Sequence, residues 1–481
     1  MMTLQQALAW LPGARAVGDL STAICRVHTD TRSVQPGDLF VALKGERYDA
    51  NHYLAQARAG GAAGAICHAD VGLEATGMPG LEVTDTRRAL GVLGAAWRAQ
   101  FHLPLIAVTG SNGKTTVTQM LASILRAFKP GRMLATQGNF NNDIGVPLTL
   151  LRLRREHEIA VLELGMNHPG EIALLAGMAG PSVALVNNAQ REHLEFMVSL
   201  DAVARENGAV LSALPADGMA VFPHGDAFTP LWQALAGARR QLRFALQAPD
   251  ASVAQPNRPE VFCTRAQWRA GAWQVAAHTP AGDVSFALQV AGRHNVGNAL
   301  AALACALAAG VPLDDIALGL EAFSPIKGRS RSSEIRLGTR SITLVDDSYN
   351  ANPDSVHAAL EMLAGLPGPR LLVLGDMAEV GDEGPLFHAQ ALAHGHALGI
   401  ESLFTLGALC STAAGSSPHT RHFDAMPELI AAVREQLPHT RSVLVKGSRL
   451  MQMERVVQAI EQRTEQAASD AAPPKQETPC C

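Results

Sequence analysis

Short apolar runs bounded by glycine or proline alternate with helical patterns through the middle of the chain. Residues 104–109 form one such run, typical of a strand buried on both faces of a parallel sheet. A glycine-rich loop follows, and residues 115–128 then show the spacing of an amphipathic helix. Further buried strands are predicted at 159–164, 183–187 and 219–222. This alternation predicts a parallel sheet wound with helices.

The same kind of pattern continues on both sides of this segment. Near the start it predicts a strand at 38–43 and helices at 50–59 and 87–100. Further along, a polar stretch near 250–280 looks irregular. An alanine-rich segment at 294–309 follows and is strongly helical in pattern.

The last third of the chain begins with linker-like residues at 323–329 and then alternates strands with helices. The predicted strands are 342–346, 370–374, 402–406 and 442–445. The predicted helices are 354–363 and 386–397. This pattern is typical of a doubly wound sheet. We therefore predict an α/β protein of three domains, at residues 1–100, 101–322 and 323–463, with a disordered tail at 464–481.

The composition excludes several classes of protein. Hydrophobic residues make up 47% of the 481 positions and charged residues 17%, which allows a large core and excludes global disorder. A net charge of -5 argues against a nucleic-acid partner. No apolar run reaches the ~18 residues of a membrane span, and no signal peptide is recognisable, so we expect a cytoplasmic protein without membrane insertion.

The cysteines give no sign of a metal site or a disulfide framework. Most stand singly in apolar stretches, as small core residues do, at Cys25, Cys67, Cys263, Cys305 and Cys410. The pair Cys480-Cys481 ends the tail, and we interpret it as incidental to function.

The strongest chemical signal is the loop at 109–116, Thr-Gly-Ser-Asn-Gly-Lys-Thr-Thr. Its amides can converge on phosphate, Lys114 can reach the terminal phosphates, and Thr115 can offer a hydroxyl to Mg²⁺. Val108 stands where the general motif has its first glycine, but a strand before the loop and a helix after it are the context that the motif requires. The loop predicts an ATP site at Gly110, Ser111, Asn112, Gly113, Lys114, Thr115 and Thr116.

Two residues at predicted strand ends are candidate metal ligands. Glu163 lies at the end of one strand and His193 just beyond the next. Ligands bind at the carboxyl edge of wound parallel sheets, so both could join Thr115 in holding Mg²⁺. The alternative is that either residue is an ordinary surface or core side chain.

Three polar loops are further candidates. Residues 138–142 are rich in asparagine, 347–353 follow a strand and open a helix, and 446–449 combine a lysine, a glycine and an arginine at a helix start. Such residues often only form turns or helix caps. They also suit sugars, uracil, peptide amides and carboxylates, so both interpretations stay open.

Taken together, these segments resemble the Mur ligase family. The resemblance covers nearly the whole chain up to about residue 464. The segments that carry it are 30–32, 36–43, 109–116, 139–150, 163–167, 292–295, 327–329, 346–353, 375–377 and 446–449. The resemblance implies an N-terminal domain for a UDP-linked substrate, a central phosphate-loop ATPase domain and a C-terminal Rossmann-like domain.

The resemblance also implies roles for residues at matching positions. Lys114, Glu163 and His193 would be catalytic, with Thr115, Glu163 and His193 at the Mg²⁺ site. Asn295 would bind adenine, and Arg329 and Asp347 would complete the nucleotide site. The substrate residues would be Asp30, Thr31 and Arg32 for UDP; Asn139, Asn142 and Thr149 for the peptide; and Tyr349, Asn350, Asn352, Lys446, Ser448 and Arg449 near the incoming amine substrate.

The activity that the resemblance implies is ATP-dependent ligation through an acyl phosphate. Segments 141–147 and 446–449 favour the branch that adds D-alanyl-D-alanine to a UDP-N-acetylmuramoyl-tripeptide in peptidoglycan synthesis, and we expect a monomer. The alternatives are a ligase like folylpolyglutamate synthases, which share the phosphate loop, and a nucleotide-dependent switch. The third residue of the tripeptide stays open.

One position departs from the family pattern. Mur ligases commonly carry a carbamylated lysine that bridges a second Mg²⁺, and Asn207 stands at that position. Either Glu206 or water takes the place of that group, or the second metal is held more weakly.

Overall fold

The fold consists of three main sheets that follow one another along the chain. The computed structural model describes residues 1–250, 257–338, 340–415 and 420–470, and it confirms the α/β class with three sheet-centred parts. We propose that the domain boundaries lie at about residues 100 and 322, between these sheets. No helix within the described residues is both long enough and apolar enough to cross a bilayer.

The N-terminal part is built on a five-stranded sheet. Its elements are β1 Met2–Thr3, α1 Leu4–Trp10, β2 Arg15–Val17, β3 Ala23–Ile24, β4 Arg26–His28, β5 Asp38–Val41, α2 Leu54–Ala59, β6 Gly64–His68, β7 Gly80–Val83 and α3 Thr86–Arg98. The strand order is β2-β7-β6-β5-β4, parallel except for β2, and β1 pairs with β3 separately. The helix predicted at 50–59 begins as a 3₁₀ turn, Ala50–Tyr53.

The central part is built on a nine-stranded sheet. Its elements are β8 Leu105–Thr109, α4 Lys114–Phe128, β9 Met133–Ala135, α5 Gly145–Leu150, β10 Ile159–Glu163, α6 Glu171–Ala179, β11 Val183–Val186, α7 Leu194–Met197, α8 Leu200–Ser212, β12 Met219–Pro223, α9 Thr229–Ala236, β13 Arg240–Ala245, β14 Val261–Arg269, β15 Ala272–Thr279, β16 Gly282–Leu288, α10 His294–Ala308 and α11 Leu313–Glu321. The order is β16-β15-β14-β13-β12-β11-β8-β10-β9, and β14, β15 and β16 are joined by antiparallel pairing.

The expectation of an irregular stretch near 250–280 was wrong over residues 261–279. These residues form the paired strands β14 and β15, while 251–256 lie outside the described residues. Along β15, Val275, Ala277 and Thr279 are buried and their neighbours are more exposed. The strand therefore has the period of two that a half-exposed sheet produces, which its many polar residues obscured.

The C-terminal part is built on a six-stranded sheet. Its elements are β17 Arg331–Leu337, β18 Arg340–Asp347, α12 Pro353–Ala364, β19 Arg370–Gly375, α13 Gly384–Ala397, β20 Ser402–Leu406, α14 Ala408–Ala414, β21 Thr420–Phe423, α15 Met426–Gln436, β22 Ser442–Lys446 and α16 Glu454–Asp470. The order is β17-β18-β22-β19-β20-β21, parallel except for β17. Helix α16 extends past residue 464, where we expected the tail to begin, and Cys480-Cys481 lie outside the described residues.

The central sheet is covered on both faces, which explains the continuous apolar run of β8. Ile106 and Val108 pack into the core on one face, against α4 and α10. Leu105 and Ala107 pack into the core on the other face, against α5, α6 and α8. Strand β8 lies between β10 and β11, so its carboxyl end, and the loop after it, lie at the middle of one sheet edge. That edge is where ligands bind in wound parallel sheets.

Candidate active site

The phosphate loop joins β8 to α4 in a conformation that glycine makes possible. Gly110 and Gly113 have φ angles of 130° and 80°, in the region that side chains disfavour. A Cβ on Gly113 would lie 2.4 Å from Oδ1 of Asn298, so the space is also closed to larger residues. The amide of Gly110 donates a 2.8 Å hydrogen bond to Oδ1 of Asn207. Residues 113–116 line a cavity, and the first amides of α4 lack acceptors within the helix, as anion binding requires.

Asparagine and glutamine side chains at the carboxyl end of β11 form hydrogen bonds with Asn112 of the phosphate loop. The amide of Asn112 donates to Oδ1 of Asn188 at 2.8 Å, and Nδ2 of Asn187 donates to the carbonyl of Asn112 at 2.8 Å. Gln190 accepts a 2.7 Å hydrogen bond from Nδ2 of Asn112. The parallel pairing of β11 with β8 brings these residues to the loop. Sequence reasoning did not select them, although they lie at or within three residues of the end of a predicted strand.

Lys114 forms a nearly buried ion pair that the sequence did not predict. Its Nζ lies 2.8 Å from Oε1 of Glu192 and donates to the carbonyl of Ser111 at 3.0 Å. The side chains of Lys114 and Glu192 are only 13% and 9% exposed. Burial alone would raise the pKa of Glu192, but the Lys114 ammonium and His193 outweigh it and lower that pKa. Oε2 of Glu192 is buried and has no hydrogen-bond partner among the described residues.

His193 lies between two carboxylates. Its Nε2 is 3.4 Å from Oε1 of Glu192, and its Nδ1 is 2.5 Å from Oε2 of Glu379, which follows β19 in the C-terminal part. Burial would lower the pKa of His193, but the two carboxylates raise it to about 9. A metal binds neutral imidazole, so ligation by His193 would require the loss of a proton and of at least one contact. Its role as a metal ligand stays a prediction.

Thr115 and Glu163 meet beside the loop. Strand register pairs Glu163 with Val108, which places its carboxylate next to the start of α4. The hydroxyl of Thr115 donates to Oε1 of Glu163 at 3.2 Å, and Nδ2 of Asn141 donates to the same oxygen at 2.7 Å. A hydroxyl and a carboxylate are the oxygen donors that Mg²⁺ prefers. These two residues fit the predicted ion.

The C-terminal part closes the site from the opposite side. The side-chain amides of Asn112 and Asn352 exchange hydrogen bonds of 3.2 and 2.9 Å. Arg191 and Asp354 form a bidentate ion pair, with a shortest distance of 2.7 Å. Asn352 also caps the N-terminus of α12. The 347–353 loop therefore both caps a helix and contacts the phosphate loop.

A second buried pair lies on this C-terminal wall. Nζ of Lys446 is 2.6 Å from Oδ2 of Asp347 and donates to the carbonyl of Asn350 at 2.9 Å. The Arg329 guanidinium lies 4.1 Å from the ring centroid of Tyr349. Parallel pairing of β18 with β22 places Asp347 beside Lys446, which explains why two loops distant in sequence meet.

All these groups surround one cavity of about 1330 Å³. Its lining includes eighteen of the predicted site residues: Ser111, Asn112, Gly113, Lys114, Thr115, Thr116, Asn139, Asn142, Glu163, His193, Asn295, Arg329, Asp347, Tyr349, Asn350, Asn352, Lys446 and Arg449. Arg87 and Asp143, which form an ion pair across the N-terminal and central parts, line it as well. The cavity is therefore shared by all three parts of the chain.

Six predicted residues do not line this cavity: Gly110, Asp30, Thr31, Arg32, Thr149 and Ser448. Asp30 and Arg32 pair with each other on the N-terminal part, where the Arg32 side chain is 84% exposed. Thr149 is fully buried, and its hydroxyl is satisfied by donating to the carbonyl of Gly145 within α5. The amide of Ser448 donates to the carbonyl of Asp376, and the residue is buried.

The structure shows how Asn207 and Glu206 are used. Asn207 is buried beneath the phosphate loop, where it accepts from Gly110 and donates to the carbonyl of Val203. The carboxylate of Glu206 accepts from the amides of Gly170 and Ile172 at the start of α6. In this arrangement Glu206 caps a helix and does not line the cavity, so its substitution for the carbamylated lysine stays a prediction. The carboxylate that contacts Lys114 belongs to Glu192 and not to Glu206.

Three family descriptions match the three parts of the chain. They are the Mur ligase family catalytic domain at residues 24–98, the Mur ligase middle domain at 108–306 and the Mur ligase glutamate ligase domain at 333–449. The UDP-N-acetylmuramoyl-tripeptide–D-alanyl-D-alanine ligase of Escherichia coli K12 is 40% identical over 96% of this chain and 98% of its own length. The chain belongs to the Mur ligase family. It is accordingly a ligase.

Other relatives agree with the family membership. The ligase of the same name from Bacillus subtilis is 32% identical over 91% of this chain and 93% of its own length. The crystal structure of MurF from Acinetobacter baumannii superposes with a TM-score of 0.86 at 35% identity, over 96% of this chain and 98% of that one. MurF from Thermotoga maritima shares the fold, with a TM-score of 0.79 at 24% identity over 94% of this chain and 100% of that one.

Proposed function

We propose that this Mur ligase joins D-alanyl-D-alanine to the free carboxylate of a UDP-N-acetylmuramoyl-tripeptide at the expense of ATP. The observation that carries the proposal is the single cavity in which a phosphate loop, the Lys114–Glu192 pair and polar loops of the C-terminal part meet. Relatives that bear the name of this activity match nearly the whole chain. The cavity of about 1330 Å³ is larger than the ~300–1,000 Å³ of an ordinary small-molecule pocket, which suits a site for more than one ligand.

The chemistry requires activation of the carboxylate. A carboxylate resists attack by an amine because it is negatively charged and its oxygen is a poor leaving group. Transfer of the ATP γ-phosphoryl group to a carboxylate oxygen breaks the bond to the β-phosphate, releases ADP and gives an acyl phosphate. The dipeptide amine then forms a bond to the carbonyl carbon and loses a proton, and inorganic phosphate leaves with the C–O electron pair.

The phosphate loop supplies charge stabilisation for the transfer. The free amides at the start of α4 and the Lys114 ammonium face the cavity and would bind the β- and γ-phosphates. Thr115 and Glu163 would hold Mg²⁺, which neutralises charge on the transferring group when bound. A protonated His193 would keep Glu192 paired with a cation when Lys114 turns to phosphate, because its Nε2 lies 3.4 Å from Oε1 of Glu192.

The C-terminal wall would bind the dipeptide and exclude water. The Arg449 guanidinium lies 5.8 Å from the Tyr349 ring centroid and faces the cavity, where it suits the dipeptide carboxylate. The contacts of Asn352 with Asn112 and of Asp354 with Arg191 hold this wall over the phosphate loop. Enclosure between the parts would protect the acyl phosphate from hydrolysis.

The location and assembly of the enzyme belong to the same proposal. The described cysteines are free thiols, which fits a reducing compartment where ATP is abundant. We propose a cytoplasmic enzyme that acts as a monomer.

A panel of substrates tests the proposal through release of inorganic phosphate. We expect sustained release only when ATP, Mg²⁺, a UDP-linked muramoyl tripeptide and D-alanyl-D-alanine are all present. Release with a folate and glutamate in place of these two substrates would instead support the folylpolyglutamate-type alternative. Release with ATP alone, unchanged by any acceptor, would support the nucleotide switch.

An isotope experiment separates the acyl-phosphate route from other ligation routes. The tripeptide carboxylate is labelled with ¹⁸O before the reaction. We expect one labelled oxygen in the inorganic phosphate for each amide bond formed. Amide formation with unlabelled phosphate would contradict the proposed intermediate.

A further inference from the structure

Three metal-ligating side chains meet on the surface of the C-terminal part, outside the active-site cavity. His357 and Glu361 lie one turn apart on α12, with Nδ1 of His357 3.6 Å from Oε1 of Glu361. The ring of His394, on the neighbouring α13, stacks on that of His357 with centroids 3.8 Å apart and planes 13° apart. One ligand atom from each residue lies within 4.8 Å of the others. None of the three lines the cavity.

The buried nitrogen of His394 has unused capacity for a ligand. Its Nε2 is buried and has no hydrogen-bond partner among the described residues. A buried polar atom without a partner destabilises the folded state unless a water molecule or an ion binds to it. Neutral imidazole is the form that binds a metal.

We propose that His357, Glu361 and His394 form a binding site for a divalent transition ion of the zinc type, between α12 and α13. Two imidazoles and a carboxylate are a frequent set of three protein ligands for Zn²⁺, and they leave a fourth position for water. The set is a poor match for Mg²⁺, which prefers oxygen ligands. The site is therefore chemically distinct from the one predicted at Thr115 and Glu163.

The rings of His357 and His394 are stacked face to face, so their nitrogens do not point toward a common ion. Binding therefore requires one ring to rotate. The side chains of His357 and Glu361 are 50% and 60% exposed, which leaves them free to rotate toward a shared ion. The more buried His394 would keep its place and supply the fixed ligand. Ion binding would thus replace the ring stack with coordination bonds from both helices.

An ion at this position would join the two helices that support the C-terminal wall of the active site. Helix α12 begins beside Asn352 and contains Asp354, which contact Asn112 and Arg191. His357 lies one turn beyond Asp354 on the same helix. Joining α12 to α13 would make this part more resistant to unfolding, because an ion that binds only the folded state stabilises it.

The test is calorimetric titration of the full-length protein with ZnCl₂, in the presence of excess Mg²⁺ to occupy oxygen-ligand sites. We expect one Zn²⁺ equivalent in the wild type. His357→Ala and Glu361→Gln should each weaken Zn²⁺ binding by more than the ~10–100-fold that loss of an outer-shell partner costs. Both changes are at exposed positions, so the variants should fold. His439→Ala, which removes another exposed histidine of the same part, should bind like the wild type.

Thermal unfolding provides a second measurement on the same proteins. Zn²⁺ should raise the melting temperature of the wild type and of His439→Ala, and should leave that of His357→Ala unchanged. Wild-type protein that binds no Zn²⁺ would overturn the proposal. Equal Zn²⁺ binding by the wild type, His357→Ala and Glu361→Gln would overturn it as well, because the ion would then occupy another site.

Discussion

The Nζ atom of Lys114 lies 2.8 Å from Oε1 of Glu192, and both side chains are nearly buried. A lysine that is expected to bind phosphate is thus held in place by a carboxylate before any nucleotide arrives. The same carboxylate faces His193, which in turn contacts Glu379 of the C-terminal part. The phosphate-loop lysine is therefore linked to the opposite wall of the cavity through a row of alternating charges.

Replacement of Glu192 by glutamine should destabilise the protein. The change leaves the buried ammonium of Lys114 without its carboxylate, so we expect a loss of about 3 kcal/mol in the free energy of unfolding. Urea denaturation of the full chain measures it. Glu195→Gln, one turn away on α7 and exposed, is the matched control and should differ little from the wild type. A loss for Glu192→Gln no larger than that of the control would contradict the role of the pair.

The contrast between Lys114 and Glu192 shows what the sequence could predict. The apolar run of β8 and the glycines after it place Lys114 at a helix start, because local pattern determines that geometry. Glu192 lies 78 residues away and reaches Lys114 only through the pairing of β11 with β8. No local pattern distinguishes such a carboxylate from a surface residue. The two members of the ion pair were therefore not equally predictable.

Thr149 and the β14–β15 hairpin show other limits of sequence reasoning. The resemblance placed Thr149 beside the peptide, but its hydroxyl satisfies a carbonyl of its own helix. A short polar side chain can form a hydrogen bond to the backbone of its own helix, and nothing in the sequence distinguishes it from a side chain that binds a ligand. The hairpin was missed because much of β14 is exposed and apolar residues also occupy exposed positions, so the sequence does not alternate strictly between apolar and polar residues.

The pH dependence of stability should reveal the contacts of His193. Its pKa is raised from 6.5 in the unfolded chain to about 9 in the folded state, so the folded state holds the proton more tightly. The resulting stabilisation is complete below about pH 6.5 and is lost as pH rises through about 9. Between these values, wild-type stability relative to His193→Gln should fall by up to about 1.4 kcal/mol per pH unit. A difference that is flat over this range would contradict the charged state.

Removal of the Asn207 side chain should loosen the phosphate loop. Asn207→Ala leaves the buried amide of Gly110 without an acceptor, which costs about 1–3 kcal/mol of stability. We also expect a higher KM for ATP, because the loop loses one of its supports. Arg205→Ala, at an exposed position on the same helix, should change neither quantity. An Asn207→Ala variant with the stability and KM of the wild type would show that this hydrogen bond has no role.

Truncation of Lys114 should abolish phosphoryl transfer. Lys114→Ala removes the only side-chain cation of the phosphate loop, so we expect the rate of phosphate release to fall by at least about a hundredfold. Loss of its partner also leaves Glu192 with His193 alone, so thermal unfolding should be measured in parallel to show that the variant is folded. Near-normal turnover in a folded Lys114→Ala protein would reject the site.

The most direct test of the central claim is a crystal structure with a non-hydrolysable ATP analogue and Mg²⁺. We predict that the β- and γ-phosphates lie against the amides of residues 113–116, with Nζ of Lys114 within hydrogen-bond distance of the γ-phosphate and the ion beside Thr115 and Glu163. An analogue bound elsewhere, with Lys114 still paired to Glu192 and the loop amides facing only solvent, would contradict the account.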